Sequence, residues 1–374
     1  MNERDLLALH RMLVSVRSVS GQEAALADLL QEQLTAEGLE VIRVEESLLV
    51  LDPSPALAAA PLFVLNSHLD TVPPNPAWTR DPWDATVDQG RVYGLGSNDA
   101  KASVAAMIAA FLRLRGATRG VRPALLLARE EETTNRGTAE LLARLAALGA
   151  RIEAAIVGEP TGLDLAVAQK GLMVLELRAQ APACHAANRQ ALGQANPIFD
   201  LARDLCALER FDLGEPHPSL GPITLEATVL SAGAARNAVP AEATCILDLR
   251  TNPTPTTSEL LSALCGVVAG ELVCRSDRFQ PYALEAGSLL VQAAQAARPI
   301  ARTYGSRTLS DLVHFRGLPA LKAGPGDTRR SHTPDEFVLE AEILEGADFY
   351  HAAVLAYDRL RAEKGEPHAA LGSP

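Results

Sequence analysis

Apolar positions along this chain fall into two patterns. Short continuous runs at residues 62–65, 124–128 and 154–157 have the length of strands buried on both faces. Between and around them, apolar residues recur at helical spacing over 100–114 and 138–148. Short buried strands alternating with helices predict an α/β layer fold around a largely buried sheet. Upstream, residues 3–38 read as two helices parted by Ser18-Val19-Ser20-Gly21. Ser20 is expected to cap the second helix, with Glu23 completing a capping box and Gly38 ending it. Strands at 39–44 and 48–51 follow.

The pattern changes near Gly171. Residues 172–178 and 244–250 mix polar with apolar positions, as half-exposed antiparallel strands do. Helices are expected at 197–208 and 258–272, around a Pro/Gly-rich loop at 214–222. Residues 289–297 return to helix and 320–323 to a short strand. The chain is long for one core at 374 residues. The expectation is a catalytic α/β domain from 1–170 and 285–374, with an α+β module inserted at 171–284. Residues 365–374 read as a disordered tail.

A formal charge of −12 with no Lys/Arg cluster argues against a nucleic-acid partner. The polar start shows no signal peptide, and no apolar run is long enough to span a membrane. Cys184, Cys206, Cys245, Cys265 and Cys274 include no Cys-x-x-Cys pair, so a reducing cytoplasm is expected.

Metal-seeking side chains cluster in Ser67-His68-Leu69-Asp70, Gly96-Ser97-Asn98-Asp99, Glu130-Glu131-Glu132, Gly158-Glu159-Pro160 and Ser331-His332-Thr333. The first, third and fourth directly end a strand-like run. His68 and Asp70 share one side of an extended chain, so one can ligate while the other orients. Local sequence favours a helix N-cap for Asp99 and mere exposure for His332. Glu159 reads equally well as a strand-end charge. Adjacent carboxylates at 130–132 repel unless a cation is near; one can ligate while its neighbour acts as a base. Two histidines and several carboxylates without cysteine suit zinc in a hydrolytic site, and a bridging Asp allows two ions.

Taken in order, Asn66-Ser67-His68-Leu69-Asp70-Thr71-Val72-Pro73, Tyr93-Gly94-Leu95-Gly96-Ser97-Asn98-Asp99-Ala100-Lys101, Gly158-Glu159-Pro160-Thr161, Gly324-Pro325-Gly326-Asp327 and Ser331-His332-Thr333-Pro334-Asp335-Glu336 resemble the motifs of a di-zinc superfamily. Its members include aminoacylases, acetylornithine deacetylases, succinyl-diaminopimelate desuccinylases and carboxypeptidase G-type enzymes. The resemblance runs from about Leu9 to Leu355. It implies a mixed-sheet, zinc-exopeptidase-like catalytic domain with an inserted α+β lid and dimerisation domain. It implies that His68, Asp99 and Glu159 hold one zinc and that Asp99, Glu132 and His332 hold the other. It further implies a cis Asp99–Ala100 bond, Asp70 orienting His68, and Glu131 as general base. From the Glu triplet, the spacing to Gly137 matches the family pair to 131 and 132. His185 resembles the lid histidine that reaches a partner's site. Asn237, Arg250 and Gly324 are placed with the substrate-binding residues.

Two departures stand out: Ala100-Lys101-Ala102 replaces the usual Met-Lys-Gly, and Ser67 replaces a Gly. Trp78-Thr79-Arg80-Asp81-Pro82, Gly171-Leu172-Met173-Val174-Leu175 and Thr308-Leu309-Ser310-Asp311 are most similar to acetylornithine, acetylcitrulline or succinylornithine deacylases. The expectation is a cytoplasmic, homodimeric zinc amidohydrolase of arginine biosynthesis acting on a small N-acyl amino acid, without nucleic-acid or membrane partners. Cobalt and manganese suit the same donors. The alternatives are a dipeptidase, a carboxypeptidase, a deacylase of lysine biosynthesis, or a non-catalytic binding homologue.

Overall fold

The structure, a computed structural model, describes residues 1–285 and 287–365. The tail expected at 365–374 lies outside the described residues beyond Gly365. The chain forms two compact units. One comprises Met1–Val167, Leu284–Tyr304 and the chain from Ser310; the other comprises Ala168–Ala283 and Gly305–Leu309.

The first unit is built on a mixed sheet. Its strands run in the order Glu40–Val44, Ser47–Leu51, Arg122–Ala128, Leu62–His68, Ile152–Val157, Ala320–Lys322, Leu165–Gln169. Pairing is parallel from Arg122–Ala128 through Ala320–Lys322 and antiparallel on either side. Leu62–His68 is buried throughout, which explains its continuous apolar run. The helix Lys101–Leu114 is rich in Ala and buried on nearly every side. Its small side chains let the helices Glu3–Ser15 and Glu340–Glu363 approach closely.

Parallel pairing fixes where the chemistry goes. His68 lies opposite Ala128, Asn66 opposite Val157, and Lys322 opposite Val157. The carboxyl ends of four neighbouring strands therefore open on one sheet edge, where α/β folds place their sites.

In the second unit, the strands Thr224–Ala232, Glu242–Thr251, Gly171–Gln180 and Glu271–Phe279 form an antiparallel sheet in that order. Alternation along Glu242–Thr251 buries Ala243, Cys245, Leu247 and Leu249 against the helices Pro197–Glu209 and Thr257–Cys265. Thr244, Ile246, Asp248 and Arg250 are only half-buried.

Two expectations need correction. The helix expected at 258–272 stops at Gly266, and Glu271–Phe279 is a strand. The expected cap at Ser20 is absent. The helix starts at Ala24 with Glu23 as its N-cap residue and no side-chain capping bond. Both side chains are engaged elsewhere.

Candidate metal centre

Five sequence segments meet at this edge. His68 Nδ1 lies 3.0 Å from the Asp70 carbonyl and 3.4 Å from Asp70 Oδ1. Both partners are acceptors, so Nδ1 carries the proton and Nε2 faces the cluster. Nε2 stands 3.4 Å from Asp99 Oδ1 and 3.9 Å from Glu159 Oε1. His332 Nε2 lies 2.8 Å from Glu132 Oε1 and 3.8 Å from Asp99 Oδ2. The two oxygens of Asp99 thus face two different histidines, which is the disposition a bridging carboxylate requires.

Ligand atoms within metal-binding reach of one another form two groups: His68 with Glu131 and Glu159, and His68 with Asp99 and Glu132. The expected residues lie together here, with Asp99 and Glu159 both facing His68 and with Asp99 and Glu132 both facing His332. Asp99 is not a helix cap. The helix begins at Lys101 behind Ala100, and the Asp99–Ala100 bond is cis, as the resemblance implies.

Carboxylates hold the backbone of this edge. Asp70 Oδ1 accepts from the Glu131 N–H at 3.0 Å, and Oδ2 accepts from the Glu132 N–H at 3.1 Å. Ser20 Oγ donates to Asp70 Oδ2 at 2.7 Å, and the Glu130 N–H donates to Glu23 Oε1 at 3.0 Å. The pair read from sequence as a capping box instead supports the acidic triplet. Glu336 Oε1 accepts from the N–H groups of Asn98 and Asp99 at 2.9 and 3.1 Å. Gly137 lets the turn close: a Cβ there would sit 2.5 Å from the Arg129 carbonyl.

Burial raises the Glu131 carboxyl well above the usual range, and the Glu159 charge adds to it. Burial beside Asp99 pushes Glu159 up to about 8. Burial also raises Glu132, against its bond to His332. The Glu132 bond lifts His332 to about 9. Burial pulls His68 down, but Asp70 and Asp99 raise it well above its ordinary value. Burial works to raise Asp70, yet His68 and Ser20 hold it below the usual range. Acids crowded until they resist ionising, with imidazole nitrogens turned toward them, fit divalent cations.

Sequence reasoning gave no site role to Ser20, Glu23, Glu336 or Lys322. Lys322 is buried at the end of its parallel strand, where burial lowers its pKa against the charges of Glu159, Glu131 and Asp99. A lysine inside an apolar strand was the available signal.

Gly324 is held through its backbone. Its N–H donates to Thr161 Oγ1, and its carbonyl accepts from the N–H groups of Thr161 and Leu163. A Cβ would lie 2.6 Å from the Glu159 carbonyl, so Gly324 permits close packing behind Glu159. His185, Asn237 and Arg250 belong to the second unit. There His185 pairs with Ala238 across two short strands, and the Ala186 N–H donates to the Asn237 carbonyl at 2.9 Å. Arg250 is bound by both oxygens of Asp248 at 2.8 and 3.1 Å.

Residues 64–356 match the model of peptidase family M20/M25/M40. A succinyl-diaminopimelate desuccinylase from Rhodospirillum centenum is 33% identical over 272 residues, covering 68% of this chain and 70% of that protein. An M20 family metallo-carboxypeptidase from Sulfolobus solfataricus shares the fold with a TM-score of 0.75 at 19% identity, over 96% of this chain and 100% of that one. A dinuclear metal-binding M20 peptidase from Bacillus subtilis does so with a TM-score of 0.72 at 17% identity, over 96% and 98%. The match across most of its length, together with the acid and histidine cluster at the sheet edge, makes this chain a member of peptidase family M20/M25/M40 and a metal-dependent hydrolase.

Proposed function

We propose that this chain hydrolyses the linear amide of an N-acyl amino acid, using two divalent ions held by His68, Asp99, Glu132, Glu159 and His332. The observation that carries this reading is the pair Glu131-Glu132. Asp70 takes both backbone N–H groups, and both carboxyls join the ligand cluster. Bound ions supply Lewis-acid polarisation of the scissile carbonyl and acidify the attacking water. Glu131 takes the proton from that water and delivers it to the leaving nitrogen. Its raised affinity for a proton suits this shuttle.

In the second unit, His185 stabilises the oxyanion while Asn237 and Arg250 hold the substrate carboxylate, an arrangement that suits a guanidinium fork. Zinc is the first choice of ion, with cobalt and manganese as substitutes. The protein works as a homodimer through the second unit, whose outer strand Thr224–Ala232 exposes Val229 and Leu230. A reducing cytoplasm is consistent with five free cysteines. No helix among the described residues is long and apolar enough to cross a membrane.

The motifs favour acetylornithine or acetylcitrulline as substrate, whereas relatives are named for succinyl-diaminopimelate. Zinc- and cobalt-loaded protein should therefore be assayed on N-acetylornithine, N-acetylcitrulline, N-succinylornithine, N-acetyllysine, N-succinyl-diaminopimelate and dipeptides. An acyl amino acid is expected to be fastest, and dipeptides outrunning every acyl substrate would overturn the reading. Glu131→Ala should lower kcat about 10²–10⁴-fold while leaving the ions bound; unchanged turnover would exclude the assigned base.

A further inference from the structure

Behind Glu131 lies a set of polar groups that the reaction as described does not use. Asn135 is buried and takes a left-handed backbone with φ 52°, a conformation Asn tolerates better than most residues. Its Nδ2 donates to Glu131 Oε1 at 3.2 Å and to the Glu131 carbonyl at 3.4 Å. On its other side, His314 Nε2 lies 2.5 Å from Asn135 Oδ1 and 2.9 Å from the Asn135 carbonyl. These contacts admit one arrangement. The amide must present its nitrogen to Glu131 and its oxygen to His314, and His314 must carry a proton on Nε2.

His314 is itself fixed. It sits in the 3₁₀ turn Asp311–Phe315, and Asp311 Oδ2 accepts from Thr138 Oγ1 at 2.7 Å. Thr138 Oγ1 accepts from Asn66 Nδ2 at 2.9 Å, and Asn66 lies on the strand that ends at His68. Hydrogen bonds on either side of the turn Asp311–Phe315, joined by its backbone, thus link that strand to the Glu131 carboxylate.

We infer that Asn135, oriented by His314, is the positioning residue for Glu131. It holds one carboxylate oxygen, so that the other is aimed at the proton being moved. The inference rests on the reading of Glu131 as general base. A base displaced by about 1 Å can lose about 100-fold in rate, which sets the scale of the effect.

The test uses zinc-loaded full-length protein and the fastest substrate of the acyl panel. Asn135→Ala should lower kcat about 10- to 100-fold, with KM within about twofold and metal content unchanged. His314→Ala should show a smaller loss of the same kind, with His314→Gln, which keeps an amide donor, recovering part of it. The double variant should be no slower than Asn135→Ala. A separate readout needs no turnover: the ¹⁵N-histidine spectrum should show His314 protonated at Nε2. Should Asn135→Ala lose its ions or its fold, His314→Ala and the spectrum decide. Wild-type kcat in Asn135→Ala or, in that case, in His314→Ala, or a His314 Nε2 without a proton, overturns the positioning role while leaving the hydrolase reading intact. An active Glu131→Ala, or no acyl substrate turned over, instead overturns the reading beneath it.

Discussion

The two units carry their candidate residues in opposite ways. In the first, His68 is buried and Glu131, Glu132 and Glu159 are half-buried at or just beyond the ends of parallel strands, and other carboxylates hold the backbone of the acidic turn and of Asp99. Asp70 grips Glu131 and Glu132, Glu23 grips Glu130, and Glu336 grips Asn98 and Asp99. In the second, His185 and Asn237 are exposed, and Arg250 is occupied by its neighbour Asp248. Polar contacts in water are weak, whereas the same groups strengthen greatly once a substrate excludes solvent. The candidate metal site is therefore braced within its own scaffold, and the residues proposed for substrate are left to be ordered by what binds them.

This contrast can be broken from either side. The largest effect should come from the exposed side, because a charge-stabilising group acts only in the transition state. His185→Ala is expected to lower kcat about 10²–10³-fold with little change in melting temperature. A small kinetic loss with a large drop in stability would place His185 in the scaffold instead. Next, Asp70→Ala removes the acceptor of two backbone N–H groups and the partner of His68. Metal affinity should fall about 10- to 100-fold, measured by competition with a chelator. Unchanged affinity would show that the acidic turn holds itself.

The smallest effect concerns pH and the turn that carries Asp99. His10 is fully buried, its Nε2 donating to the Ser97 carbonyl at 2.9 Å. Burial lowers its pKa from 6.5 to about 4. The unfolded chain takes up a proton near 6.5 and the folded chain only near 4, so the unfolded state binds more protons between these values. Stability from this site is complete above pH 6.5 and declines as pH falls toward 4, by on the order of 3 kcal/mol in all. Denaturant titrations of wild type and His10→Gln at pH 7.5 and 5 should show the variant losing less. Parallel losses would remove His10 as the cause.

Much of this architecture is legible in the sequence, because buried parallel strands write continuous apolar runs and their ends mark the site. His68 and Glu131 stand out for that reason, whereas Glu159 reads equally well as a strand-end charge. Asp99 and His332 do not, since local sequence explains them as a cap and an exposed loop residue; the order of the family motifs picks them out, and the fold brings His332 to Asp99 and Glu132. Ser20 and Glu23 mislead in the same way. They form a sound capping pattern, but distant partners, Asp70 and the Glu130 N–H, outcompete the local bonds. Lys322 offers a signal, a lysine inside the expected strand 320–323, but its place beside the acids follows from the pairing with Ile152–Val157. The strand Glu271–Phe279 was hidden by apolar residues continuing past the helix end at Gly266.

Sharing of Asp99 between two ions is the claim on which the rest depends. Its most direct test is metal content by mass spectrometry after zinc reconstitution and removal of loose ions, for wild type and Asp99→Ala side by side. The expected result is two zinc ions per chain in the wild type and no firmly held ion in the variant. A single ion in the wild type, or two retained by Asp99→Ala, would contradict it.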